Sequence, residues 1–331
     1  MLASQRSVKA SVIIPNWNGE KLLRVCLPSL KKQTFKQFEV VIVDNGSTDG
    51  SVDYIKNSFP EVKLVVLKSN SGFSHAVNLG IKICVGEYII LINNDTEVEK
   101  DCLKFLVKAA DRRKDVGMIA AKMLKFNNPK IIDSAGDWID RVGHAGNIGQ
   151  GKKNGIEFNR AGYCFLVTGG GCLIKRQVFE SIGFFDENYF AYMEDVDFCL
   201  RAQMRGFRGW YEPGAVIRHV HKATSSRDIP FTEYLQFRNM TQTIIRDFPS
   251  KLLFRNFNLL LIILVNLNTV LYFFKNGFWK EALKAEAFIL LNFGRLISER
   301  RKIQSAITVS EEYLIENFRP KRITFYGLLK K

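Results

Sequence analysis

Three apolar runs within the first hundred residues end in the same way. Ser11-Val12-Ile13-Ile14-Pro15 passes into Asn16-Trp17-Asn18-Gly19, and Phe38-Glu39-Val40-Val41-Ile42-Val43 passes into Asp44-Asn45-Gly46-Ser47-Thr48-Asp49-Gly50. Tyr88-Ile89-Ile90-Leu91-Ile92 stops at Asn93-Asn94-Asp95. Each run is followed by a stretch with helical spacing, such as Leu22, Leu23, Leu27 and Leu30. Strand and helix alternating in this manner predict an α/β fold built on a mostly parallel sheet. In open sheets of this kind, ligands lie beyond the carboxyl ends of the strands. That rule places Asn16, Asp44 and Asn93-Asn94-Asp95 along one edge.

Asn-Asn-Asp offers one carboxylate and two amides, a set that suits a hard cation shared with a diphosphate. A polar turn after a core strand explains the same three residues. From Met123 to Arg160 the pattern breaks into Gly, Asn and Asp with single aromatics, which predicts long loops and short hairpins over one mouth of the sheet. Tyr163–Thr168 and Cys172–Ile174 read as strands around Gly169-Gly170-Gly171. A helix is expected near Asp195, then two strands, over 207–211 and 215–220.

In order along the chain, Ser11–Asn18, Val43–Gly50, Asn70-Ser71-Gly72-Phe73 with Asn78-Leu79-Gly80, Asn93-Asn94-Asp95, Gly183–Glu187 and Glu194-Asp195-Val196-Asp197 resemble family 2 glycosyltransferases with the GT-A nucleotide-diphospho-sugar fold. The resemblance runs from about Val8 to about Asn239. Asn-Asn-Asp-Thr and Glu-Asp-Val-Asp are most similar to rhamnosyltransferase-type members.

The resemblance implies a role for each candidate. Asp44 would accept a hydrogen bond from the pyrimidine ring of the donor, unless it only caps its turn. Pro15, Asn16 and Asn18 would line the base and ribose pocket. Asn70 and Gly72 would belong to a loop over the nucleotide, with a helix cap before Phe73 as the rival reading. Asn93 and Asn94 would face the nucleotide sugar, and Asp95 would hold Mg²⁺ or Mn²⁺ together with His219. His221 fits the metal spacing less well, and either histidine could be a polar surface residue. Asp195 would be the base that deprotonates the acceptor, with Glu194 as its substitute, although a carboxylate at a helix start also serves as an N-cap. Asp197 and Arg201, four apart, read as an ion pair.

The chain carries a net charge of +15, and +8 of it falls from Arg246 onward, where fifteen Lys/Arg face seven Asp/Glu. That segment also contains Phe257–Phe274, free of charge and close to the length a bilayer span needs. Flanked by Lys251, Arg255, Lys275 and Lys280, it is expected to lie in an anionic membrane interface, with Tyr272, Phe278 and Trp279 at headgroup depth. A true span, and packing on the protein or on a second protomer, are the alternatives. Residues 1–245 are thus expected to form the catalytic domain and 246–331 a membrane-associating helical extension. The basic residues are scattered among aliphatic ones with no reading motif for RNA or DNA, so a nucleic-acid partner is not expected.

Six cysteines without paired spacing read as reduced thiols, and residues 1–10 lack an apolar targeting run. Cytoplasmic chemistry at the inner face of the plasma membrane is the expectation. The resemblance implies an inverting transferase moving rhamnose from dTDP-rhamnose, or another UDP- or dTDP-sugar, to a polyprenyl-linked or oligosaccharide acceptor. A processive synthase would show a Gln-x-x-Arg-Trp block where this chain has Tyr234–Asn239. A non-catalytic nucleotide-sugar-binding scaffold would be expected to lack the base or the metal ligand.

Overall fold

The computed structural model describes residues 8–220 and 228–320. Four strands open the fold, β1 (Ala10–Asn16), β2 (Phe38–Asp44), β3 (Lys63–Val66) and β4 (Tyr88–Ile92), separated by α1 (Glu20–Lys31), α2 (Ser51–Ser58) and α3 (Phe73–Ile83). They pair in parallel in the order β4-β1-β2-β3. Their near-continuous apolar sequences follow from burial on both faces. Ile13, Val41, Ile89 and Leu91 enter the core on one side of the sheet, while Val12, Ile14, Ile42, Ile90 and Ile92 enter the core on the other.

After β4 come β5 (Thr96–Val98), α4 (Cys102–Arg112), and a hairpin of β6 (Val116–Lys125) with β7 (Asn128–Ser134). A small separate ribbon, β8 (Asp137–Ile139) with β9 (Ala145–Asn147), follows. Next are β10 (Gly162–Cys164), β11 (Gly171–Lys175), α5 (Arg176–Ile182), α6 (Glu194–Met204) and β12 (Arg208–His219). Antiparallel β11 enters between β4 and β6 and makes the sheet mixed. The two strands expected over 207–220 are one. Glu212-Pro213-Gly214 shifts the register of β12 against β6 without ending it, because β6 continues alongside to Lys125.

The C-terminal part is helical: α7 (Ile229–Asp247), α8 (Ser250–Phe254), α9 (Asn258–Lys275), α10 (Trp279–Leu291), α11 (Phe293–Ser305) and α12 (Glu311–Asn317). A buried ionic joint fastens these helices to the sheet domain. Arg246 reaches Asp186 at 2.6 Å, Asp197 of α6 at 3.1 Å and Glu299 of α11 at 3.1 Å. Arg201 grips the other oxygen of Asp197 through Nε and NH2 at 3.0 and 2.7 Å, the i,i+4 pair expected from the sequence. Burial alone would raise the Asp197 carboxyl, but the two guanidinium groups outweigh it and hold the group below its usual range.

Candidate active site

Parallel pairing puts Asn16 opposite Asp44 at the ends of β1 and β2. Asn16 Nδ2 donates to Asp44 Oδ2 at 2.8 Å, and Asn94 Nδ2 donates to Asn16 Oδ1 at 2.6 Å. Ser47 adds its hydroxyl to Asp44 Oδ2 at 2.7 Å and its backbone N–H to Oδ1 at 2.8 Å. The capping reading of Asp44 is therefore realised. Asp44 is fully buried, behind the hydroxyl and backbone N–H of Ser47. Asn16 and Asn94, also buried, tie the three strand ends together, leaving Pro15, Asn18 and Asn93 partly exposed at the mouth. Asn18, at φ 49°, accepts from Thr48 N–H at 2.8 Å and so links the first two loops.

On the far side of Asp44, Asn70 Oδ1 accepts from Gly72 N–H at 3.0 Å, a local turn. α3 takes no side-chain cap, so Asn70 is not a helix cap. Gly72 has φ 90°, and a β-carbon there would stand 2.5 Å from Phe190 O. Only glycine lets the nucleotide-side loop approach the segment leading into α6 so closely.

The Asn-Asn-Asp end of β4 meets the end of β12 through β5, which pairs Thr96 with His219. Val220 N–H donates to Asp95 O at 3.0 Å. Asp95 Oδ1 lies 3.3 Å from His219 Nε2 and takes no hydrogen bond among the described residues. On the opposite ring nitrogen, His219 Nδ1 meets Asp133 Oδ2 at 2.7 Å. Burial acts to lower the basicity of this imidazole, but Asp133 and Asp95 outweigh it and raise the pKa to about 9. A divalent ion with bonds of about 2.1 Å keeps neighbouring ligands about 3 Å apart, so Asp95 and His219 fit as two ligands of one ion. No group of three His, Cys, Asp or Glu closes around a point among the described residues, so the pair is a candidate half-site. His221 lies outside the described residues.

Asp133 is a residue the sequence reading missed. Its carboxylate fixes the orientation of the His219 ring through Nδ1, as a carboxylate does behind an imidazole that binds a metal. β7, in a stretch expected to hold long loops and short hairpins, brings Asp133 there as the second strand of a hairpin with β6.

Asp195 sits in the first turn of α6 and is partly exposed. Met193 is the cap residue and no side chain caps this helix, so Asp195 is not an N-cap. Its Oδ2 accepts from Gly169 N–H at 2.9 Å and its Oδ1 from Val196 N–H at 2.9 Å, leaving each oxygen further acceptor capacity. Burial raises its pKa against these backbone donors. Glu194 is buried and raised further, first by burial and then by the charge of Asp195. The three glycines bring their loop between the two halves of the site: Gly169 touches Asp195, and Gly170 O accepts from Asn93 N–H at 3.2 Å.

Asp137 lies buried beneath this loop. Burial and then the charge of Asp195 push it up to about 7, against donors Ser134 and Asn147. A carboxyl whose folded pKa is raised favours the fold while neutral, and stability falls as pH climbs from about 3.8 through 7. The loss is at most about 4 kcal/mol. Asp137→Asn should therefore leave the melting temperature unchanged at pH 4 and raise it at pH 8. An equal change at both values would show that Asp137 does not titrate between them.

The sequence profile of glycosyl transferase family 2 matches residues 11–183. The chain belongs to that family. It is 30% identical over 239 residues to the O-antigen biosynthesis protein RfbC of Myxococcus xanthus, covering 68% of this chain but 18% of that protein. It is 27% identical over 244 residues to the N-acetylglucosaminyl-diphospho-decaprenol L-rhamnosyltransferase of Mycobacterium tuberculosis, covering 67% of this chain and 78% of the other. The fold is similar to that of GalNAc-T7, solved with UDP, GalNAc and Mn²⁺, with a TM-score of 0.59 at 16% identity over 73% of this chain and 48% of that one.

Proposed function

We propose that this glycosyltransferase moves a sugar, rhamnose from dTDP-rhamnose or another UDP- or dTDP-sugar, to a polyprenyl-linked or growing oligosaccharide acceptor with inversion at the anomeric carbon. The observation that carries the reading is the glycine loop, which takes the partly exposed Asp195 carboxylate through Gly169 and the Asn93 backbone, two residues from Asp95 of the Asp95–His219 pair, through Gly170. Asp195 takes the proton of the acceptor hydroxyl as the oxygen bonds to the anomeric carbon. The bond from that carbon to the diphosphate breaks on the opposite face, and the nucleoside diphosphate leaves. Asp95 and His219 would hold Mg²⁺ or Mn²⁺, which supplies positive charge to the departing diphosphate. Asn93, Pro15 and Asn18 line the donor pocket. Asp44 reaches the base once Ser47 moves aside, and Asn70 with Gly72 closes over it. The decaprenol-linked acceptor in the name of the mycobacterial relative supports the lipid-linked acceptor.

Incubating the protein with a panel of nucleotide sugars, Mn²⁺ and a short polyprenyl-diphosphate sugar tests the reading. Release of nucleoside diphosphate with a single anomeric product is expected. Nucleotide binding without release, for every donor, would identify a binding protein on the same fold.

We assign the chemistry to residues 1–245 and contact with an anionic membrane to 246–331. Ser250–Lys275 is long and apolar enough to cross a membrane by length and composition. Left-handed backbone at Asn256 and Phe257 interrupts it, so the continuous helix is the 18-residue α9. On α9, Leu260, Leu264, Leu267, Leu271 and Phe274 are exposed at steps of four and three, which makes one apolar stripe. Ile262, Val265 and Phe273 of the same helix are buried. Apolar burial and basic flanks together give stable anchoring, each lysine or arginine adding about 1 kcal/mol near anionic lipid, screened by salt. Sedimentation should need anionic vesicles, weaken in high salt, and be lost in the double variant Leu260→Glu/Leu267→Glu. Binding that ignores lipid charge, or a double variant that still sediments, would make the stripe a packing surface for a second protomer.

A further inference from the structure

The chain between Tyr189 and α6 follows an unusual path. Phe190 has φ 63° and ψ −66°, a three-residue turn closed by Ala191 N–H donating to Tyr189 O at 2.7 Å. That turn is rare for a residue with a side chain. Tyr192 and Met193 follow at φ 68° and 67°, where a β-carbon crowds the backbone and glycine alone is comfortable. Three such residues in four positions, none of them glycine, persist only when their surroundings hold them. The next two residues are Glu194 and Asp195.

α7 does the holding. Asn239 is fully buried, and its Nδ2 faces the carbonyl oxygens of Tyr189, Ala191 and Tyr192 at 3.0, 2.8 and 2.7 Å. Its Oδ1 accepts from Arg238 Nε at 2.9 Å and from Gln242 Nε2 at 3.0 Å, which fixes the end of the amide that meets the loop. Arg238 NH2 donates to Asn188 O and Tyr189 O, both at 2.8 Å. From the nucleotide side, Ser74 N–H donates to Phe190 O at 3.2 Å.

We propose that Asn239, oriented by Arg238 and Gln242, is a positioning residue for Asp195: it keeps residues 190–193 on their left-handed path and thereby aims the carboxylate at the acceptor. The inference rests on the reading of Asp195 as the base. The matched family segment ends at residue 183, well before Asn239.

The test uses the full chain with dTDP- or UDP-sugar, the matching nucleoside diphosphate and Mn²⁺. Asn239→Ala should bind the nucleoside diphosphate within about threefold of the wild type and lose turnover by about 10–100-fold, the scale of a small misplacement of a reacting group. Asn239→Asp, which sets an oxygen against three carbonyls, should lose more. Adding Met193→Gly to Asn239→Ala should restore turnover several-fold, because glycine takes the left-handed path without a clamp. Gln242→Met removes one donor from Asn239 Oδ1 and should give the same pattern at smaller size, which keeps the test decisive if Asn239→Ala does not fold. Parallel loss of affinity and turnover in Gln242→Met, or no recovery with glycine, would reduce Asn239 to packing. Asp195→Asn runs alongside. If that variant turns over normally, the base assignment is lost. If it is inactive while Asn239→Ala is not, only the positioning role is lost.

Discussion

Asp195→Asn should cut turnover by about 10²–10⁴ while nucleoside diphosphate binding stays within a few-fold. The range is that of a positioned general base. An asparagine keeps the shape of the side chain and can still accept from Gly169 N–H through its oxygen, so the loop carrying the glycines should stay in place. What it loses is the capacity to take a proton. Wild-type turnover should also fall as pH drops through a value above that of a free aspartate, since burial raises this carboxyl and protonation removes the base. The acid limb should disappear in the variant. Single-turnover assays and calorimetric binding of the nucleoside diphosphate separate the two effects, and a variant that turns over normally would remove Asp195 from the chemistry.

The second large effect concerns the half-site. Chelation should abolish turnover and Mn²⁺ or Mg²⁺ should restore it. Asp95→Ala should weaken binding of the nucleoside diphosphate far more than binding of the bare nucleoside, because the loss falls on the phosphates. Asp133→Asn should weaken Mn²⁺ binding by about 10–100-fold, the usual consequence of removing the carboxylate behind a ligating imidazole. Free Mn²⁺, followed by its paramagnetic resonance in the presence of nucleoside diphosphate, reports this without an activity assay. Full turnover in chelator would shift the charge compensation to cationic side chains such as Lys222 or Arg227, which lie outside the described residues.

Much of this architecture is legible in the sequence because strands buried on both faces leave little choice of composition. Val12 and Ile13 point to opposite cores and both must be apolar, so β1 announces itself. The ends of β1, β2 and β4 were legible for the same reason, since polarity begins where the two cores stop. Asp133 was not. It sits at the end of Asn128-Pro129-Lys130-Ile131-Ile132, in a stretch whose Gly and Asn content suggests loops, and its partner His219 is 86 residues away. Asn239 was hidden for another cause. Its value depends on left-handed backbone at Phe190, Tyr192 and Met193, and a non-glycine residue in that conformation leaves no trace in composition. β12 was read as two strands because Pro213-Gly214 resembles a stop, and only the register of β6 shows that it is a kink.

The ionic joint at Arg246 bears on how such enzymes can be recombined. The C-terminal helices, proposed above to meet a membrane, are natural candidates for exchange between transferases. Here Glu299 of α11 completes the ring around Arg246, and Arg300 donates to Ile245 O at 3.0 Å and Phe248 O at 2.8 Å. A donor segment grafted after Phe248 without equivalents of these two side chains would leave a buried guanidinium short of one carboxylate and the end of α7 without its donors. The graft would disturb Asp197, two residues from Asp195, so under the proposed mechanism an exchange of helices would register as a change of rate. Exchange is therefore neutral only when it carries the Glu-Arg pair with it.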